Sequence, residues 1–197
     1  VHSACIVRWP GVIKPASVSD ALVEYVDIVP TFVDIAGGKP QAKMDGESFK
    51  PVLTGKKKEH KKYSFSLQTT RGINAGSPYY GIRSVYDGRY RYIVNLTPEA
   101  TFQNVMTSSP LFKEWKSLAE TDSHAKAMTT RYQHRPAIEL YDVKNDPYCM
   151  KNLAEDAGQA STISRLDKEL KRWMKDCGDE GQATEMRAFE HMPGKKK

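Results

Sequence analysis

The sequence predicts an α/β fold, and three stretches carry that reading. Residues 81–95 read Gly-Ile-Arg-Ser-Val-Tyr-Asp-Gly-Arg-Tyr-Arg-Tyr-Ile-Val-Asn, two β-branched and aromatic runs joined at Asp87-Gly88. That pattern specifies a β-hairpin with a type I′ turn. Tyr63-Ser64-Phe65-Ser66-Leu67 alternates strictly, as a strand does. Leu166, Leu170, Trp173 and Met174 fall on one stripe of a helix over residues 162–176, with Gly178 as its stop.

In chain order, Ala4-Cys5-Ile6-Val7-Arg8-Trp9 is a short apolar run stopped by Pro10-Gly11, which reads as a buried strand whose partners lie elsewhere. Over residues 18–36, Ser19-Asp20 is a turn or cap. Pro30 begins a helical turn there, Phe32, Val33, Ile35 and Ala36 are its expected inner side, and Gly37-Gly38 ends it. Asp45-Gly46 signals another turn, and Phe49, Val52 and Leu53 form a short amphipathic turn closed by Gly55. A two-residue turn in the hairpin sets Val85 opposite Tyr90, Arg83 opposite Tyr92 and Ile82 opposite Ile93. One face, Val85, Tyr90, Tyr92 and Val94, can then pack, while Tyr86, Arg89 and Arg91 leave the other half solvated.

Ser109-Pro110 caps a helix with Leu111, Trp115 and Leu118 at helical spacing. Residues 121–135 show no clear period. Ala137-Ile138-Glu139-Leu140-Tyr141-Asp142 reads as a strand that ends in the turn Asn145-Asp146-Pro147. Beyond Gly181 the pattern is lost, which predicts a docked or frayed tail.

The chain has 197 residues, enough for one globular domain or a domain with an appended subdomain. A net charge of +6 invites a polyanion reading, but Lys56, Lys57, Lys58, Lys61, Lys62 and Lys195 to Lys197 hold much of it. The remaining 22 basic residues face 24 acids. Without aromatics among the lysines there is no nucleic-acid platform. No run of about 18 apolar residues occurs, so no membrane span is expected. Cys5, Cys149 and Cys177 lack metal-ligand spacing, and free thiols are the default, with a Cys149 to Cys177 bridge as the alternative.

Nothing local supplies a hydrolytic centre, since there is no G-x-S-x-G, H-E-x-x-H or phosphate-binding glycine loop. Asp20, Asp27, Asp34 and Asp45 fit no metal loop and read as caps or surface. Asn95-Leu96-Thr97 is a glycosylation sequon by pattern. Residues 68–78 form a loop between strands, a common place for binding residues, with Arg71 its only charge. Arg131, His134 and Arg135 make a guanidinium and imidazole cluster suited to a sulfate or carboxylate, with plain surface as the other reading.

Several motifs occur in a fixed order: Ile6-Val7-Arg8-Trp9-Pro10-Gly11, Val18-Ser19-Asp20-Ala21-Leu22-Val23, Val26-Asp27-Ile28-Val29-Pro30-Thr31, Asp45-Gly46-Glu47-Ser48-Phe49, and Glu139-Leu140-Tyr141-Asp142 through Asn152-Leu153-Ala154. This order resembles the C-terminal portion of the type I sulfatases, over about residues 3–176. Arg83-Ser84-Val85, Asn95-Leu96, Trp115 and Arg135-Pro136-Ala137 make the likeness closest to the sulfamidase (heparan N-sulfatase) branch.

The resemblance implies the end of an alkaline-phosphatase-like α/β/α sandwich (residues 1–62), a small antiparallel sheet with a C-terminal helix (residues 63–180) and a polar tail (residues 181–197). It implies hydrolysis of a sulfate ester or N-sulfate on a saccharide, using Ca²⁺ and a formylglycine made from a C/S-x-P/A-x-R motif. It also implies a periplasmic, extracellular or lysosomal setting. None of Cys5, Cys149 and Cys177 stands in that motif, so the catalytic half is expected upstream and no catalytic or metal residue is assigned here.

In relatives the loop entering the small sheet lies near the pocket mouth. That makes Gln68, Thr69, Thr70 and Arg71 candidate sugar contacts, with Arg131 and His134 beside them as anion-binding candidates. The sulfamidase loop is richer in His and Glu than this one. A non-catalytic module binding anionic glycans through Arg71, Arg131, His134 and the lysine loop is the alternative.

Overall fold

The computed structural model describes residues 3–69, 80–187 and 190. The chain divides into two compact units, Val1–Ser64 and Phe65–Lys197.

In the first unit, helices α1 (Ile28–Ile35) and α2 (Lys50–Leu53) are joined by the turn around Gly46, and an isolated bridge ties Leu22 to Lys61. The helix containing Pro30 forms as expected, but with a different face inward. Asp27, Thr31 and Asp34, spaced at i, i+4 and i+7, turn toward residues 46–50. Thr31 Oγ1 accepts from Phe49 N at 3.0 Å, and Asp34 takes Ser48 Oγ at 2.7 Å and Lys50 Nζ at 3.0 Å. The expected inner residue Phe32 is instead 65% exposed. The polar bonds, not the apolar stripe, decide which face the unit keeps for itself.

Residues 4–9 form no strand either, and Ile6 is 94% exposed. A strand exists only through a neighbour that takes its backbone bonds, and among the described residues none lies beside it. The Pro10-Gly11 turn does form, with Ile13 N donating to Trp9 O at 3.0 Å.

The second unit is built on a four-stranded sheet in the order β1 (Ser64–Gln68), β2 (Ile82–Tyr86), β3 (Tyr90–Asn95), β4 (Ile138–Asp142). Strands β2, β3 and β4 pair antiparallel. The hairpin register is two residues off the expected one: Val85 faces Tyr92, Arg83 faces Val94 and Ile82 faces Asn95. The Asp87 carboxylate captures the amides of Arg89 and Tyr90 at 2.9 and 2.6 Å, which moves the turn to Gly88-Arg89. Gly88 has φ +93° and Arg89 has no positive φ, so glycine holds the first central position, as in type II′ turns. A shift of two keeps each side chain on its expected face.

Both faces are covered. On one, α5 (Ala160–Asp176) buries Leu166 and Leu170, each worth about 2 kcal/mol. There Tyr92 donates to Asp167 Oδ1 at 3.1 Å, and Phe65 stacks on Trp173 at 5.0 Å. The helix ends in a Schellman motif, in which Asp179 N donates to Met174 O and Gly178 N to Lys175 O, with Gly178 at φ +68°. On the face expected to be half solvated, Ile82 and Ile93 are buried with Tyr80, Phe102 and Tyr141.

Helices α3 (Pro110–Leu118) and α4 (Ser123–Gln133) follow β3. The expected cap on α3 is present, but its buried residue is Phe112. Leu111, Trp115 and Leu118 are half exposed. Helix α4 arises where no period was legible. Asp122 caps it, accepting from Ala125 N at 2.7 Å, and Tyr132 fixes it through an edge contact with Phe102 and a tilted one with Phe112. Ser109 Oγ accepts from Phe112 N at 3.2 Å. Ser109→Ala is therefore expected to lower stability by about 1 kcal/mol, read as a fall in urea midpoint.

The sequon is closed off. Asn95 is buried in β3, and its Nδ2, the atom a glycan would take, donates to Pro136 O at 2.6 Å and Glu139 Oε1 at 2.7 Å.

Candidate functional site

Gln68 and Thr69 sit where β1 ends, at one edge of the sheet. Thr70 and Arg71 lie outside the described residues. The Gln68 carbonyl accepts from Arg83 Nη1 at 3.2 Å, and Arg83 is the feature around which this edge is arranged. It lies on the α5 side of β2, in register with Val85, and is 1% exposed. Its Nε donates to Asp179 Oδ2 at 2.5 Å, and its Nη2 to Glu185 Oε1 at 2.8 Å and Asp179 Oδ1 at 3.2 Å. Nη1 also reaches Ile82 O at 3.1 Å.

Burial works against the guanidinium charge, but Asp179 and Glu185 outweigh it and hold its pKa above the ordinary value. For Asp179 burial pushes upward, and the Arg83 bond with the Gly181 amide brings the carboxyl below its usual range. Glu185 belongs to α6 (Gln182–Met186), so part of the expected polar tail is docked by a buried charge. The approach is close enough that a Cβ on Gly81 would lie 2.6 Å from Glu185 Cγ.

Arg131 and His134 end α4, which is tied to β4, the opposite edge of the sheet. Arg131 donates to Cys149 O, to Met150 O at 2.8 Å and to Tyr141 OH at 3.4 Å. Its guanidinium thereby stabilises the turn in which Cys149 adopts φ +53°. His134 is exposed at the end of the helix. With three strand spacings between the edges, roughly 14 Å, the two groups of candidate residues do not converge.

Arg135 belongs to a separate network. Glu139, buried, accepts from Arg135 Nη2 at 2.8 Å and from Tyr141 OH at 2.5 Å, and burial together with Glu139 pushes the Tyr141 phenol up to about 12.

Sequence reasoning placed Arg83 in the hairpin but did not see its role. The available signal was its place in alternation with Val85, on the side destined for the core. Its acids, 96 and 102 residues away, gave no signal at all. Among the described residues, no three His, Cys, Asp or Glu side chains come together as a metal site, and none of the three cysteines is in a disulfide.

Residues 1–104 match the family described as N-sulphoglucosamine sulphohydrolase, C-terminal. The chain belongs to this sulfatase C-terminal family. An ulvan-active sulfatase of Formosa agariphila is 37% identical over 88% of this chain and 33% of its own length. The human N-sulphoglucosamine sulphohydrolase is 25% identical over 87% of this chain and 38% of its own.

A structure solved in complex with its substrate D-glucosamine-2-N,6-O-disulfate superposes with a TM-score of 0.62 at 23% identity, over 90% of this chain and 29% of that one. At that identity the likeness concerns the fold: a small sheet with helices, as in the C-terminal part of the sulfatases. The chain spans about a third of the length of the curated relatives it matches. No helix among the described residues is long and apolar enough to cross a membrane.

Proposed function

We propose that this chain is the C-terminal part of a sulfatase that hydrolyses a sulfate ester or N-sulfate on a saccharide, and that it contributes structure and substrate recognition while the reactive centre lies upstream. The observation that carries the reading is the family match over residues 1–104. The residues here do not fit a formylglycine or a Ca²⁺ site. Cys5 is followed by Ile-Val-Arg, Cys149 by Met-Lys-Asn and Cys177 by Gly-Asp-Glu. The carboxylates of Asp27, Asp34 and Asp142 are engaged by Lys61, Lys50 and Arg89. Both groups, if the enzyme uses them, are held by the upstream portion, and no step of the reaction is assigned to this chain.

Within this reading Gln68, Thr69, Thr70 and Arg71 contact the sugar. Arg131, with two carbonyls to hold, shapes the 149–150 turn, and His134 offers a separate contact for an anionic substrate. The test is sulfate release from a panel of sulfated monosaccharides. The full-length gene product should release sulfate, and this chain alone should release none. A full-length product inert on the whole panel, with this chain binding sulfated glycans by itself, would replace the enzyme reading with a glycan-binding module.

Arg71→Ala in the full-length product is expected to raise KM about tenfold, as loss of one charge-assisted hydrogen bond to a sulfate would. Unchanged steady-state kinetics would remove this loop from the site.

A further inference from the structure

Arg83 joins three elements that are far apart in sequence: the end of β1 through the Gln68 carbonyl, the α5 cap through Asp179, and α6 through Glu185. All three guanidinium nitrogens are in use: Nε and Nη2 together hold the Asp179 carboxylate, Nη2 also reaches Glu185, and Nη1 turns to the Gln68 carbonyl. Only a planar fork does this, because an ammonium is a single point with a shorter lateral reach.

A strand end at a sheet edge is otherwise held by its backbone ladder alone, and side chains just past the strand's last residue are its least constrained part. Here the carbonyl of that last residue is fixed by a buried cation that is itself clamped by two carboxylates. One of those carboxylates, on Glu185, has its second oxygen buried without a partner. That arrangement is costly for fold stability alone.

We infer that Arg83 is a positioning residue for substrate recognition. It sets Gln68 in place through its carbonyl, and through Asp179 and Glu185 it makes the C-terminal segment a support for the sugar-contacting edge. The inference rests on the reading of Gln68 and its neighbours as sugar contacts.

The experiment uses the full-length gene product and its preferred sulfated saccharide. Arg83→Lys keeps a positive charge between Asp179 and Glu185 but releases the Gln68 carbonyl. KM should rise about tenfold with kcat within about twofold, the pattern of lost binding away from the reacting bond. Asp179→Asn turns an amide against the guanidinium donors and should move KM the same way, so the test stands even if Arg83→Lys fails to fold.

Amide exchange at Gln68 and Thr69 should quicken in these variants while α5 stays protected. Combined with Gln68→Ala, which alone should raise KM, Arg83→Lys should add little further. If Gln68→Ala raises KM and neither Arg83→Lys nor Asp179→Asn does, the inference is overturned and the sugar-contact reading survives. Unchanged KM in all three overturns both. A fall in kcat as large as the rise in KM, accompanied by faster exchange throughout α5, would make Arg83 a structural tie only and overturn the inference.

Discussion

Asp27→Ala is expected to destabilise the protein by about 3–5 kcal/mol, the usual result of removing one partner from a buried ion pair. Asp27 is fully buried at the start of α1. Its Oδ2 accepts from Glu24 N and its Oδ1 from Glu47 N, both at 2.9 Å, and Lys61 Nζ lies 2.7 Å from Oδ1. His60 Nε2 stands 3.3 Å from Oδ2, out of line for a hydrogen bond. One carboxylate therefore holds the turn before α1, the turn after Gly46 and the segment leading to β1. Alanine leaves two amides and a half-buried ammonium without it.

The pH dependence follows from the same geometry. Burial pushes the Asp27 carboxyl upward, but the Lys61 bond and the amides of Glu47 and Glu24 together outweigh it, so the folded pKa lies below the ordinary 3.8. A depressed carboxyl contributes stability that is fully present above its unfolded pKa and is lost as pH falls through the folded one. The gap between the parent protein and Asp27→Asn in urea midpoint should therefore be constant from neutral pH down to about 5 and shrink below about 4. Asp34, Asp87, Asp142, Asp146 and Asp179 are depressed too. Their effects cancel in the comparison because both proteins carry them. A gap that stays constant into acid would show that the charge of Asp27 is not what the fold uses.

How much of this was legible depends on whether the deciding interaction was local. The hairpin was, since Asp87-Gly88 and the flanking aromatics are contiguous. Its register was missed because the Asp87 side chain captured the amides two and three residues on, a detail that a count of turn residues does not contain. The stripe of α5 was legible because its period runs through seventeen residues. Helix α4 was not, because Phe102 and Phe112, outside its own sequence, hold it through Tyr132. The inner face of α1 was misread because apolarity was taken as the guide, whereas Asp27, Thr31 and Asp34 meet their partners 14 to 34 residues later.

The candidate site divides the same way. Gln68 and Thr69 were legible as the end of a strand before a polar loop. Arg83 was not, since a buried cation is recognised only once its acids are found.

Gly46→Ala is expected to cost about 3 kcal/mol or more. The Asp45-Gly46 pair reads in sequence as a turn, and such a reading assigns glycine the job of adopting a positive φ. Gly46 is not among the residues with positive φ. What excludes a side chain is proximity: a Cβ would stand 2.0 Å from Val26 O, 2.3 Å from Val26 C and 2.7 Å from Asp27 N. All three are main-chain atoms, so no rotamer change relieves the overlap.

Relief requires the turn to move away from Val26, which stretches the Glu47 amide from Asp27 Oδ1 and the Phe49 amide from Thr31 Oγ1. The damage should therefore couple to Asp27. In a double-mutant cycle, Gly46→Ala and Asp27→Ala should sum to clearly more than the double variant loses, because each breaks contacts the other has already loosened. Additive losses would mean that the close approach at Gly46 and the buried carboxylate support the unit independently. A change below about 1 kcal/mol for Gly46→Ala alone would mean that the backbone at Val26 yields where close packing says it cannot.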